Sequence, residues 1–522
     1  MTGISESNSA TAVSESLQIG SGKQLFVGPW ADDGRDDYLV ESMRNVTITT
    51  NEAWVSGDRV IETDKLGELD LPGAGMNVIK EGDTFRMYYQ VDVPGEPQRG
   101  VICYAESTDG VHWIKPDLGL ATWNGSRANN IILPVADSPA ELGNVGLVTF
   151  SGCPFVDPNA PAEQRYKAVI KTKGQVAAPS LGKGRYLVGS SDGIHWNLLS
   201  SKSVHRGDGD FSPLWDDRIG RYVAYERIKY LQVPAQIEHY TEKYGIEPEQ
   251  IHWGARVLNE GRRISDDLFT WSDQVSVFAP DEIDDAFAPE GVTRIDAYGL
   301  NATRYDEAPA IYLGLPPMHS HWKCREIRGD RVLHLPSLID VQLVTSRDGI
   351  HWHRSPGRKP FIRLGPQDSF WAGMVYPAGG RAIRVGDELW FYFTGFPFNH
   401  QTQGTEGGRG RAILRLDGFI SADAEYTGGE LLTRPLVFAG NRLQLNVATG
   451  AGGFVHVEIQ DEAGKAIDGF AATDEHDEIT GNYICAAATW KDSTDVGALA
   501  GRPIRLRFIM RDCKLYSFQF LP

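Results

Sequence analysis

One short phrase recurs along the chain and limits what it can fold into. STDGVHW occupies Ser107–Trp113, SSDGIHW occupies Ser190–Trp196, and SRDGIHW occupies Ser346–Trp352. The tryptophans are 83 and then 156 residues apart, so a copy is expected near residue 274. SDDLFTW at Ser265–Trp271 meets that expectation, keeping the Ser, the Asp and the Trp. A fifth, degraded copy is read at Asp417-Gly418 in RAILRLDGFI. Asp-Gly is a strong hairpin-turn signal, because Gly tolerates positive φ and Asp bonds nearby backbone. The Ser caps the same turn, and the Trp opens the next strand with a large apolar surface.

Strand-like runs precede each turn. VICYAES, RYLVGSS, VQLVTS and AILRL lead directly into the turns, and TFRMYYQ, RYKAVIK, RYVAYERI, APAIYLGL and ELWFYFTG come before them. Each unit therefore reads as about four antiparallel strands, and radial repetition is a standard way to protect their edges. The expectation is an all-β chain: a five-bladed β-propeller over residues 21–425, followed by a β-sandwich over 430–522. The blades are placed at 65–135, 136–203, 204–286, 287–358 and 359–420, with QLFVG and NVTITTNEAWV adding strands that close the ring. Residues 1–20 are rich in Ser, Ala and Thr and are expected to be disordered. A helical insertion is expected at 234–253.

Composition excludes several partners. Lys and Arg total 51 against 69 Asp and Glu, a net charge of −18. Such an acidic chain is a poor fit for nucleic acid or anionic membrane. No apolar run reaches the ~18 residues of a membrane span, and the first residues lack the pattern of a secretory signal. The five cysteines are scattered with no CxxC pair, which suits reduced thiols and a cytoplasmic location. No nucleotide loop or GxSxG elbow stands in a strand-to-helix context, so no cofactor is expected.

The entrance of a propeller's inner strands is where acidic residues merit suspicion. Asp208, Asp296 and Asp368 open the inner strands of the third, fourth and fifth units. Asp208 to Arg221 and Asp296 to Pro309 are both 13 residues, which gives the first two matching places. Convergent carboxylates suit glycosidic-bond cleavage, one protonated to donate and one ionised to attack or activate water. A third fixes sugar hydroxyls and tunes the acid. Glu290, Asp306 and Glu307 are reserve candidates for the acid. Substrate contacts are expected from Trp371, from His319, His321 and Trp322 in MHSHW, and from Asn77. A histidine pair without a third ligand is weak evidence for a metal, so no metal site is expected.

These phrases carry a resemblance. The SxDGxHW turns over residues 65–420 resemble the Asp-box, and the chain is similar to the five-bladed propeller glycoside hydrolases of families 32, 43, 62, 68 and 130. DDYLVESMRN, WIKPDLGL followed by Asn129-Asn130, SRDGIHWHR, and RLDGFISADA with LLTRPLVFAG resemble uncharacterised family-32-like proteins. The resemblance implies a glycosidase with a trio of axial carboxylates, acting on a small glycoside or oligosaccharide, with fructosyl or arabinosyl furanosides favoured. The WMNDPNG, RDP and EC motifs of family 32 are absent, so the three aspartates rest on position alone. A phosphorylase, transglycosylase or lyase on the same fold is the alternative, with Arg294, Arg304 and Arg363 as phosphate ligands; a noncatalytic sugar-binding propeller is another. The insertion and the sandwich offer surfaces for a homo-oligomer.

Overall fold

The computed structural model describes residues 16–29, 38–62, 72–92, 100–123, 125–133, 147–173, 181–205, 211–228, 259–286, 292–322, 327–328, 331–332, 337–399, 406–472 and 478–522. The expected disordered terminus, the insertion at 234–253, Asp208 and Glu290 lie outside them. Two compact units divide the chain. One comprises Glu52–Tyr305 and Ile311–Leu416, the other Met1–Asn51, Asp306–Ala310 and Asp417–Pro522. Strands dominate both, and the one α-helix among the described residues is the single turn Glu282–Ala286.

The larger unit is built of successive antiparallel sheets in a propeller-like arrangement. The first pairs Pro72–Glu81, Thr84–Asp92, Gly100–Ser107 and Ile131–Leu133 in sequence order. The second runs Leu147–Phe150, Tyr166–Lys173, Gly184–Ser190 and Trp196–Leu198, with Phe155–Val156 also on its second strand. The third runs Phe211–Asp216, Arg221–Ile228, Asn259–Ser265 and Val275–Phe278. A fourth joins Ala302–Arg304, Tyr312–Gly314, Val344–Ser346 and His353–Arg354.

The expected fifth unit does not stand as a sheet of its own. Its strands Met374–Pro377, Glu388–Phe396 and Gly408–Arg415 belong to a nine-stranded sheet that also holds Val292–Ala297, Pro317–Trp322 and Ser337–Gln342. The parallel pairing Ile339↔Met374 makes the connection. The fourth repeat is thus split, because its strands break midway. Gly299 and Asn301 at positive φ interrupt the first strand, and Leu315-Pro316 interrupts the second. Trp54–Val55 adds to Gly408–Arg415 at the far edge.

The repeated turn is built alike four times. Ser107 Oγ accepts from the Asp109 and Gly110 amides, and Asp109 Oδ1 accepts from the Val111 and His112 amides at 2.8 Å each. Ser190/Asp192, Ser265/Asp267 and Ser346/Asp348 repeat the pattern. The His112 side-chain bond and these amides hold Asp109 well below the usual carboxylate range. Burial pushes Asp192 and Asp348 the other way, and the same bonds overcome it.

Neighbouring sheets meet at these turns. Tyr392 Oη donates to Gly110 O at 2.7 Å and Tyr225 Oη to Gly349 O at 2.9 Å. A Cβ on Gly193 would lie 2.6 Å from Tyr88 Oη, so glycine permits that approach. Tyr88 and Tyr225 each pair with the residue three before the turn serine, Tyr104 and Arg262. In the second sheet that place belongs to Val169, opposite Leu187. Its neighbouring turn carries Leu268 at φ 67 instead of glycine. Val169 and Leu268 share one buried cluster with Phe155, Phe211 and Tyr222. The leucine fills space that a tyrosine ring takes elsewhere.

The fifth copy of the motif is different. Asp417 sits at φ 61 and is 1% exposed. Its carboxylate meets Lys23 Nζ at 2.9 Å and accepts from Ser517 Oγ at 2.7 Å. It serves a buried ion pair in the smaller unit rather than capping a repeat turn.

That smaller unit holds one ten-stranded sheet. Two long strands, Arg442–Asp461 and Ile504–Leu521, pair along most of their lengths with a register shift between Thr449 and Phe454. Leu17–Gly20, Gln24–Leu25, Val40–Arg44 and Val46–Thr50 join the same sheet. Of the N-terminal segments expected to close the propeller, only Trp54–Val55 pairs within the larger unit.

Candidate functional site

The most concentrated group of chemically active side chains in the described residues lies on three adjacent strands. Val292–Ala297 runs antiparallel to Pro317–Trp322 with Asp296 opposite His319, and Pro317–Trp322 runs antiparallel to Ser337–Gln342 with His321 opposite Ser337. Side chains alternate faces along a strand. His319 and His321, two apart, therefore share a face with Asp296 and Ser337.

All four are buried, at 0% exposure for Asp296 and Ser337, 1% for His319 and 8% for His321. His321 Nε2 lies 2.8 Å from Asp296 Oδ2. His319 Nε2 engages Ser337 Oγ. The two imidazole centroids are 3.8 Å apart. Tyr298 sets its ring edge-on to His319 at 5.3 Å and lies 6.4 Å from Tyr376. The Arg227 guanidinium covers Tyr298 at 4.1 Å and donates to its carbonyl at 2.8 Å. Ile339, Met374 and Phe396 form an apolar cluster on the adjoining strands, with Tyr376 and Phe398 packed on it.

This arrangement corrects the spacing argument for Asp296. Its cross-strand partner is His319, because the first strand ends at Ala297 and the 13-residue interval to Pro309 runs to a turn. This same aspartate brings a carboxylate oxygen to the histidine pair, so that three potential ligand atoms lie within 4.8 Å of one another.

The remaining candidates are distributed differently. Asp368 is exposed at φ 72, in a turn closed by the Ser369 amide on Pro366 O. Trp371 is 8% exposed, with Phe370 at 4.8 Å and Phe393 at 6.4 Å. A Cβ on Gly365 would come within 2.5 Å of Trp371 Cε2, so the indole is packed tightly into protein. Asn77 is buried on Pro72–Glu81, close to Cys153 and Gly379. Asp306 is exposed and Glu307 half-buried on the turn between Ala302–Arg304 and Tyr312–Gly314. Trp322 ends its strand, and its side chain is outside the described set. Arg304 is ion-paired with Asp217, and Arg363 grips Glu52 at 2.6 and 2.9 Å.

Two further acids escaped the sequence reading. Asp340, half-buried, pairs with Met318 across the strands, which puts it on the face opposite His319. Burial pushes its carboxyl up to about 6, against the pull of Arg363 and Arg354 and with the help of Glu52. A lone acid in SLIDVQLV was its only signal. Glu226 is 3% exposed and binds His205 Nε2 at 2.6 Å as well as Arg263. Burial raises its pKa, but these two partners bring it below the usual value.

No protein-family model matches the chain, and no curated protein matches it. Solved structures do resemble it distantly. A family 43 arabinoxylan arabinofuranohydrolase from Bacillus subtilis is 11% identical, with 87% of this chain and 96% of that one covered, at a TM-score of 0.36. A β-1,2-mannobiose phosphorylase from Listeria innocua is 12% identical over 66% and 90%, at 0.40. An N-acetylgalactosamine deacetylase from F. plautii is 14% identical over 71% and 96%, at 0.41. Likenesses at this level transfer no chemistry.

Proposed function

We propose that the chain is a carbohydrate-active enzyme that cleaves a glycosidic bond by paired-carboxylate chemistry. The observation that carries the proposal is Asp296: a fully buried carboxylate bonded to His321, whose neighbouring ring His319 packs against Tyr298. Carboxylates and imidazoles hold sugar hydroxyls, and aromatic faces cover the apolar side of a sugar ring. Asp296 takes the third role, fixing hydroxyls and tuning the acid, since its burial and its histidine partner keep it from attacking an anomeric carbon. The acid and its base or nucleophile are then Asp368 and Asp208, read from the sequence as opening the inner strands of the flanking repeats.

In this reading the larger unit is a five-bladed propeller, with two blades fused through the Ile339↔Met374 pairing. The smaller sheet folds back on itself as a sandwich through its two long strands. A small furanoside or oligosaccharide is the substrate, and the enzyme works in the cytoplasm, as a homo-oligomer where the insertion or sandwich supplies a contact.

The test is a panel of furanosides and oligosaccharides assayed with and without inorganic phosphate. Phosphate-independent release of a reducing sugar is expected, lowered at least about 100-fold by Asp208→Asn or Asp368→Asn. Turnover that requires phosphate would move the assignment to phosphorolysis. Full activity in Asp208→Asn, Asp296→Asn and Asp368→Asn alike would remove the carboxylate assignment, and sugar binding without product would leave a binding module.

A further inference from the structure

We propose that Asp296, His319 and His321 form a site for one divalent transition-metal ion, with zinc the best match. The inference goes beyond the glycosidase reading and does not depend on it. Each residue offers one ligand atom, and the three atoms all lie within 4.8 Å of one another. Two ligand atoms about 2.0–2.1 Å from a tetrahedral zinc stand about 3.3 Å apart. The Asp296 Oδ2 to His321 Nε2 separation of 2.8 Å is a small displacement from that geometry. About half an ångström of opening there, and a closure of up to about 1.5 Å toward His319, would complete the set.

The chemistry of the donors selects the ion. Two imidazoles and one carboxylate suit zinc and its first-row neighbours, whereas calcium and magnesium prefer all-oxygen shells. Three protein ligands leave a fourth position open to water or to a substrate oxygen, the pattern of catalytic rather than structural zinc.

Two features of the site suit an ion better than a plain hydrogen-bonded core. The imidazoles lie 3.8 Å apart, both almost fully buried. A shared cation would offset the buried carboxylate, and two neutral imidazoles side by side are suited to ligate it. The outer shell is also in place, since Ser337 Oγ engages His319 Nε2 and Tyr298 packs edge-on against the same ring. A second partner that fixes ring orientation and tautomer is the usual companion of a ligating histidine.

The experiment uses the full chain prepared without a histidine tag. After chelation and dialysis, zinc is added back and bound metal is measured by elemental analysis. About one equivalent is expected, with a rise in Tm of about 5 °C that magnesium and calcium do not reproduce. Cobalt in place of zinc should give visible d–d absorption, and the wild-type spectrum reads the site without any variant. His319→Ala and His321→Ala should each abolish that absorption, and Ser337→Ala should weaken affinity about 10–100-fold. His351→Gln, in an exposed turn, should leave the stoichiometry unchanged. Metal content near zero with no shift in Tm, or one equivalent that persists in both histidine variants, would overturn the site. Neither result touches the glycosidase reading, whose failure is read from product formation alone.

Discussion

The chain uses an aspartate–histidine pair in two settings, and the contrast separates scaffold from chemistry. In the repeated turns, His112, His195 and His351 each meet an aspartate three residues before them, at 2.6–2.8 Å. Their side chains are 87%, 63% and 58% exposed. The copy at Ser265–Trp271 has Thr270 in the histidine's place and keeps the same amide bonds to its aspartate. The histidine is therefore dispensable, and the aspartate acts on backbone. In the nine-stranded sheet, His321 meets Asp296 from 25 residues away, with both buried. The same two side chains are worth about 0–1 kcal/mol as an exposed pair. Breaking a buried pair leaves a stranded polar group and costs several times more.

Five substitutions sharpen the comparison, from largest effect to smallest. Asp296→Ala removes the acceptor of a buried imidazole and should cost about 3–5 kcal/mol in urea unfolding. Asp340→Asn should act in the opposite sense. A carboxyl raised from 3.8 to about 6 on folding contributes stability that is complete below pH 4 and is lost as pH rises through 6. Replacing it should stabilise the protein at pH 7 by up to about 3 kcal/mol and flatten stability between pH 4 and 6. Leu268→Gly should cost about 2 kcal/mol, the lost burial being partly offset by relief of positive φ. Adding Val169→Tyr should recover at least about half of that loss, and a double-mutant cycle measures the coupling. His351→Gln should change stability by less than about 0.5 kcal/mol. A loss comparable to that of Asp296→Ala would erase the distinction.

What the sequence revealed follows the same division. The repeat was legible because a turn is a local object: Ser107, Asp109 and Gly110 make their bonds within four residues. The copy at residue 271 could be found from spacing alone. The exchange of Tyr-and-Gly for Val169-and-Leu268 could not, since the two positions meet only across sheets. Asp296 was legible as an acid on a strand, although it stands next to the end of Val292–Ala297 and does not open it. Its partner was not, because Gly299 and Asn301 end the strand early and shift the register to His319. Trp371 carried the signature of an exposed stacking residue, an aromatic beside a polar turn, yet Phe370 and Phe393 enclose it. The N-terminal strands pair with segments more than 350 residues away, as in Val40↔Thr433 and Thr50↔Ile420. No local pattern encodes that choice.

In the proposed function the buried Asp296 group, and not the repeated Asp turns, serves the reaction, with Asp296 fixing hydroxyls and tuning the acid. The direct measurement is glycoside turnover per folded molecule for Asp296→Asn beside Asp192→Asn, with near-UV circular dichroism to confirm folding. The account predicts a loss of at least about 100-fold for Asp296→Asn and wild-type turnover for Asp192→Asn. Equal turnover in the two folded variants would contradict it.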